Sequence, residues 1–260
     1  MSESTGLLKS HIVKKYWMAF TGLFLMLFLT GHLAGNLQLF LTGYEGQLQF
    51  NEYAVFMTTN PAVKLLSYVT YISILFHAID GIVISMANRK ARPDGYAYSK
   101  PGKNSPWSSR NMGILGTIIL VYIVVHMQNF WYEYKFGKTE FMMSEDGLSP
   151  LLQDGTIAEG ATVTSTGNVM LAGENIGVAM KDLYTIVMEG FANPILVVFY
   201  VLAMIAMGFH LIHGFQSAFQ SIGLRNKKYS PAIIKIGYAF AVIVPLLFAI
   251  IPVYLFIMAA

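Results

Sequence analysis

Long apolar runs recur five times along the chain, separated by stretches in which charge, glycine and proline collect. Their limits are roughly Tyr16 to Leu41, Pro61 to Asn88, Asn111 to Tyr132, Pro194 to Gln220 and Ala232 to Met258. Each is long enough to cross about 30 Å of hydrocarbon as a helix. Lipid-exposed backbone must satisfy its own hydrogen bonds, so the pattern predicts helices and not strands. A polar loop from about Tyr134 to Ala192 separates the third and fourth runs. Within it, the alternating segment ATVTSTGNVML is expected to pair as a hairpin, and Asp182 to Phe191 (DLYTIVMEGF) reads as a short amphipathic helix at the membrane interface. The expected fold is an all-α membrane protein, a single domain over residues 1–260 built as a bundle of five transmembrane helices.

Composition agrees with this reading. Of 260 residues, 55% are apolar and 12% charged, a charged share about half that of a soluble domain. The polar, basic N-terminus MSESTGLLKSHIVKKYW leads into a span-length run with no small-residue cleavage site, which predicts an uncleaved first helix. Charge then sets the topology. Lys9, Lys14, Lys15, Arg89, Lys90, Arg92, Lys100, Lys103, Arg110, Arg225, Lys227 and Lys228 precede the first span or join spans two to three and four to five, and they are expected to face the cytoplasm. Between Glu133 and Glu189, nine Asp or Glu stand against Lys135, Lys138 and Lys181, so the long loop is expected outside. The predicted N-terminus is cytoplasmic and the C-terminus is outside. The chain has no cysteine, which excludes disulfides, thiolate ligands and iron-sulfur ligation within it.

The second and fourth runs share a frame. One begins Asn60-Pro61 and reaches His77-Ala-Ile-Asp80-Gly81; the other begins Asn193-Pro194 and reaches His210-Leu-Ile-His213-Gly214. An Asn cap with Pro at the first helical position fixes where each helix starts. Sixteen residues at about 1.5 Å each then place His77 and His210 at one depth, roughly 24 Å from that end. Gly81 and Gly214, four residues on, share the histidine's face and leave a recess there for something planar. His32 and His126, in the first and third runs, fall about 10 to 14 Å from the outer ends. They form a second level, about 10 Å above the first.

A single transmembrane histidine is as well explained by an interhelical hydrogen bond as by ligation. Four in matched pairs favour ligation, because a planar cofactor held by two neutral imidazoles from two helices needs this arrangement. The reading is two haems of b type. Zinc is disfavoured because its closed sites need four convergent donors. His11 reads as a solvated tail residue. His210 and His213 lie one turn apart and either is a chemically competent ligand; the repeat favours His210. In the same frame His213 matches Asp80, and the two are expected to hydrogen-bond each other or a haem propionate, with a proton route as one consequence. Arg89, Arg110, Lys15 and Arg225 are candidates for propionate contacts or for interface anchoring.

Several segments resemble the single-subunit, five-helix, dihaem cytochrome b anchor of succinate:quinone oxidoreductases and quinol:fumarate reductases. They are Gly31-His32-Leu33, the F-N-x-x-A-x-F-M run Phe50 to Met57, His77 with Gly81, His126, and HLIHGFQSAFQSIG from His210 to Gly223. The resemblance covers nearly the whole chain except the long loop. It implies axial pairs His32/His126 and His77/His210, with His213 not a ligand. It also implies a flavoprotein and an iron-sulfur protein on the cytoplasmic face and exchange of electrons with menaquinone or ubiquinone. The implied setting is the bacterial inner membrane and the tricarboxylic acid cycle or fumarate respiration. The chain would be the electron-transfer subunit, not itself catalytic on succinate, with membrane lipid as surroundings, no nucleic acid partner, and room for a higher oligomer of the complex.

Some members of that family have a glutamate near the outer start of the second span that serves quinol oxidation. The matching position here is Asn51, with Glu52 beside it, and both are candidates for a quinone site. Trp131 and Tyr132 read as an aromatic belt. Two other functions fit a histidine-bearing membrane chain: the dihaem cytochrome of a hydrogenase or formate dehydrogenase, which the HGFQSAFQ run disfavours, and a haem-free transporter or anchor.

Overall fold

The five apolar runs form helices because a helix satisfies its backbone hydrogen bonds within the segment, as a span-length apolar stretch requires. In the computed structural model, which describes residues 11–91, 103, 105–137 and 140–259, the spans cover Val13–Phe40, Pro61–Lys90, Met112–Phe136, Pro194–Ser221 and Ser230–Ala259. The chain is a multi-pass α-helical membrane protein. Lys9, Arg92, Lys100, Lys138 and the side chain of His11 lie outside the described residues.

The helices are α1 (His11–Asn36), continued by a 3-10 turn (Leu37–Phe40), α2 (Gly43–Thr59), α3 (Pro61–Lys90), α4 (Met112–His126), α5 (Leu183–Phe191), α6 (Pro194–Ser221) and α7 (Ser230–Ala259). α4 runs on through a π-helical turn (Met127–Tyr132) into Glu133–Phe136. The two Asn-Pro starts are true caps: Asn60 Oδ1 accepts from the backbone N–H of Ala62 at 2.9 Å and Val63 at 3.3 Å, and Asn193 Oδ1 from that of Ile195 at 3.0 Å.

α2 is a 17-residue helix where the sequence pattern gave only a connection. Its buried positions are Gly46, Phe50, Asn51, Ala54 and Val55. Three of these are small or polar, so the helical period carries almost no apolar signal.

By internal contacts the chain divides into two units. The first comprises Met1–Gly31, Tyr68–Tyr122 and Val201–Phe248. In it α6 meets α7 closely at Gly208, where an added Cβ would stand 3.0 Å from the carbonyl oxygen of Ala241. Pro245, four residues after Ala241, has no N–H to give that carbonyl. The bare backbone of Gly208 therefore packs against an acceptor that the α7 ladder leaves open. Phe215, about two turns further along α6, meets Phe240 at 6.1 Å.

The second unit comprises His32–Ser67, Ile123–Tyr200 and Ala249–Ala260. Its loop folds as a three-stranded antiparallel sheet, β1 (Thr162–Val163), β2 (Asn168–Leu171) and β3 (Glu174–Val178), in that order. β1 and β2 are the alternating segment, paired Thr162 to Met170 and Val163 to Val169. Ala172 and Gly173 both take positive φ, 52° and 89°, which turns the chain tightly into β3. Val169 of β2 packs with Ala158 and Ala179, while Met142, Leu151 and Met180 of the loop pack with Val55 of α2.

α5 starts at Asp182, which is 5% exposed. Its carboxylate accepts from the Thr185 backbone N–H (3.0 Å), the Thr185 hydroxyl (2.6 Å), Asn51 Nδ2 (2.8 Å) and Gln47 Nε2 (2.6 Å). The N-cap of α5 is thus also the tie to α2. Nearby, Lys181 donates to the Tyr134 carbonyl at 2.7 Å, and burial holds its ammonium below the usual lysine range.

Two substitutions test these contacts. Asp182→Ala strands the donors of Asn51, Gln47 and Thr185 and is expected to cost about 3 kcal/mol, read as a lowered Tm of the purified chain in detergent. Gly208→Leu forces α6 from α7 and is expected to cost about 1 to 3 kcal/mol in the same assay, as overpacking does.

Candidate functional site

Each unit holds one pair of facing histidines. In the first, His77 of α3 and His210 of α6 have ring centroids 6.3 Å apart and planes inclined at 66°. The neighbours are small or apolar. A Cβ at Gly22 would stand 3.4 Å from His77 Cε1, and one at Gly116 3.7 Å from His210 Cε1. Thr21 Oγ1 lies 3.1 Å from His77 Nδ1. His210 Nδ1 is buried without a hydrogen-bond partner. Trp17 meets Phe76 edge-on at 6.2 Å, and Trp107 meets Phe209 at 5.3 Å.

In the second unit, His32 of α1 and His126 at the end of α4 have centroids 5.7 Å apart and planes at 86°. Tyr200 OH is 3.3 Å from His126 Nδ1. Phe130, carried by the π-helical turn, packs on His126 at 5.6 Å and on Tyr200 at 6.0 Å, with Phe191 of α5 at 5.2 Å. Asn36 Nδ2 donates to the His32 carbonyl at 2.7 Å and reaches 3.5 Å from His32 Nδ1.

These pairs fit an axially ligated haem on three counts. An iron between two imidazole nitrogens at about 2 Å each sets ring centres about 6 Å apart, the separation of both pairs. Each pair brings two imidazoles together, the number of protein ligands a porphyrin-held iron takes. The flanking glycines are open: nothing lies within 4 Å of a Cβ at Gly31, only the Met18 methyl at 3.9 Å of one at Gly81, and only the Met26 methyl at 3.6 Å of one at Gly214.

Asp80 and His213 are both half-buried, and no hydrogen bond or ion pair joins them. The reason is rotational. Three residues beyond a ligand turns a side chain about 60° round the helix axis. On ideal helices that run the same way with ligands facing, equal turns would carry the two following side chains to opposite sides of the line between the ligands. The mutual hydrogen bond expected from the repeat therefore does not form.

Asn51 lies inside the protein. It is 0% exposed, its amide donates to Asp182 and to Met142 Sδ (3.5 Å), and its oxygen accepts from the Tyr184 backbone N–H at 3.0 Å. These bonds hold α2 to α5 and to Met142 of the loop. Glu52 is exposed, and a Cβ at Gly155 would stand 3.2 Å from its Oε1. Lys15, Arg89, Arg110 and Arg225 are exposed; Arg110 donates to the Ser105 carbonyl, and Arg225 to Gln220 Oε1 at 3.0 Å.

Thr21, Gly22, Gly116 and Tyr200 were not singled out by sequence reasoning. A signal exists for Thr21, which lies eleven residues before His32, three turns away on one side of α1. None exists for Tyr200, whose role depends on another helix. A scan of protein-family models, a search of curated proteins and a search of solved structures each return no match for this chain.

Proposed function

We propose that this chain is the dihaem cytochrome b membrane anchor of a succinate:quinone oxidoreductase or quinol:fumarate reductase. The observation that carries the reading is the two facing histidine pairs, each within membrane-spanning helices and each spaced for an axially ligated iron. His32 with His126 and His77 with His210 would supply the four axial nitrogens. Bound haem supplies a one-electron carrier at each pair.

The chain's own residues position and insulate. Phe130, Phe191 and Tyr200 wall the His126 ring from water, and Thr21 and Gly22 seat His77. Asp80 and His213, half-buried one turn from the inner ligands, are polar groups set to tune that pair or meet a propionate separately. Glu52, not Asn51, is the carboxylate proposed for proton exchange with menaquinone or ubiquinone. The basic segments ending α3 and α6 face the cytoplasm of a bacterial cell, N-terminus in and C-terminus out, and dock an iron-sulfur protein that carries electrons from a flavoprotein. The chain is the electron-transfer subunit of that enzyme and acts as one transmembrane domain.

A reduced-minus-oxidised spectrum of the purified chain is expected to show a b-type change with two haems per chain. His126→Ala and His77→Ala should each remove one haem and leave the other, and His213→Ala should keep both. Absence of any b-type change would overturn the reading. Copurification of a flavoprotein and an iron-sulfur protein checks the assignment to this complex.

A further inference from the structure

Thr21 is a buried polar side chain within a span, 6% exposed, and its hydroxyl has one proton. Two backbone carbonyls are placed to accept it. Oγ1 lies 2.9 Å from the carbonyl oxygen of Trp17 and 3.2 Å from that of Met18, the back-bonding geometry of threonine inside a helix. Carbonyl oxygens only accept, so the hydroxyl is the donor to them. Its remaining partner is His77 Nδ1 at 3.1 Å. With its proton directed to those carbonyls, the hydroxyl is placed to accept from the ring. In that arrangement His77 Nδ1 carries the hydrogen, and Nε2 carries the lone pair.

The ring is located as well as oriented. Gly22, next along α1, lets the His77 edge approach bare backbone, since a Cβ there would stand 3.4 Å from Cε1. Across the pair, His210 has no counterpart to Thr21: its Nδ1 is buried without a partner. The two members of the inner pair are thus held differently.

We propose that Thr21 is a positioning residue for His77, fixing the tautomer that presents Nε2 to a haem iron and making His77 the more electron-rich of the two inner ligands. This rests on the haem reading above. A hydrogen bond accepted from the distal N–H of a ligating imidazole raises its basicity. Greater basicity favours the oxidised iron, so this contact lowers the inner haem's midpoint potential.

Thr21→Val keeps the shape and removes the acceptor, whereas Thr21→Ser keeps the acceptor and removes a methyl. A redox titration of the full chain in detergent, followed at the b-type band, resolves the two haems. Thr21→Val is expected to raise one midpoint and leave the other, and Thr21→Ser to restore the wild-type value. Loss of one haem in Thr21→Val with retention in Thr21→Ser also supports the proposal. Unmoved midpoints in Thr21→Val, or equal changes or losses in both variants, would overturn it. A wild-type chain without haem would sink the haem reading and this inference together, while two wild-type haems with midpoints indifferent to Thr21→Val would sink this inference alone.

Discussion

Hydrocarbon offers no hydrogen-bond partner, so every polar group within a span has to find one inside the protein, and this requirement links otherwise unrelated features. It fixes the starts of α3 and α6, where Asn60 and Asn193 cap the first exposed amides and thereby set the depth of the histidine sixteen residues beyond each proline. It accounts for Gly208, which packs backbone against the Ala241 carbonyl that Pro245 leaves open. It also bears on Thr21, whose hydroxyl lies within reach of the Trp17 carbonyl and of His77 Nδ1. Against that rule the unpartnered Nδ1 of His210 stands out as a cost of about 1 to 3 kcal/mol that the fold carries at its candidate site.

The second unit meets the same demand at the membrane edge. Asp182 gathers donors from α2 and α5, and Asn51 completes the tie with its amide oxygen on the Tyr184 N–H. The consequence reaches the histidines through packing. α5, held by that carboxylate, carries Phe191 against Phe130 and Tyr200, and these two rings close on His126. A residue that the resemblance marked for quinone chemistry is in this way part of the frame around one histidine pair.

The two pairs differ in how their rings are fixed. His77 has the hydroxyl of a neighbouring threonine, whereas His126 has a phenol in an aromatic box and leads directly into a π-helical turn. Such turns recur at functional sites because the wider ladder re-aims the residues that follow. Here those residues include Phe130.

Read alone, the sequence determined the five spans, the two capped helix starts, the shared depth of His77 and His210, and the β1–β2 hairpin. Length, hydropathy and cap chemistry are local, and a helix of fixed rise converts them into position. Tertiary structure decided the rest. α2 stayed hidden because three of its five buried residues are small or polar; Asn51 belongs to a tie with Asp182, 131 residues away; Asp80 and His213 form no hydrogen bond to each other. Each depends on how one helix is rotated against another, and that rotation is set by packing between elements that a linear pattern cannot express.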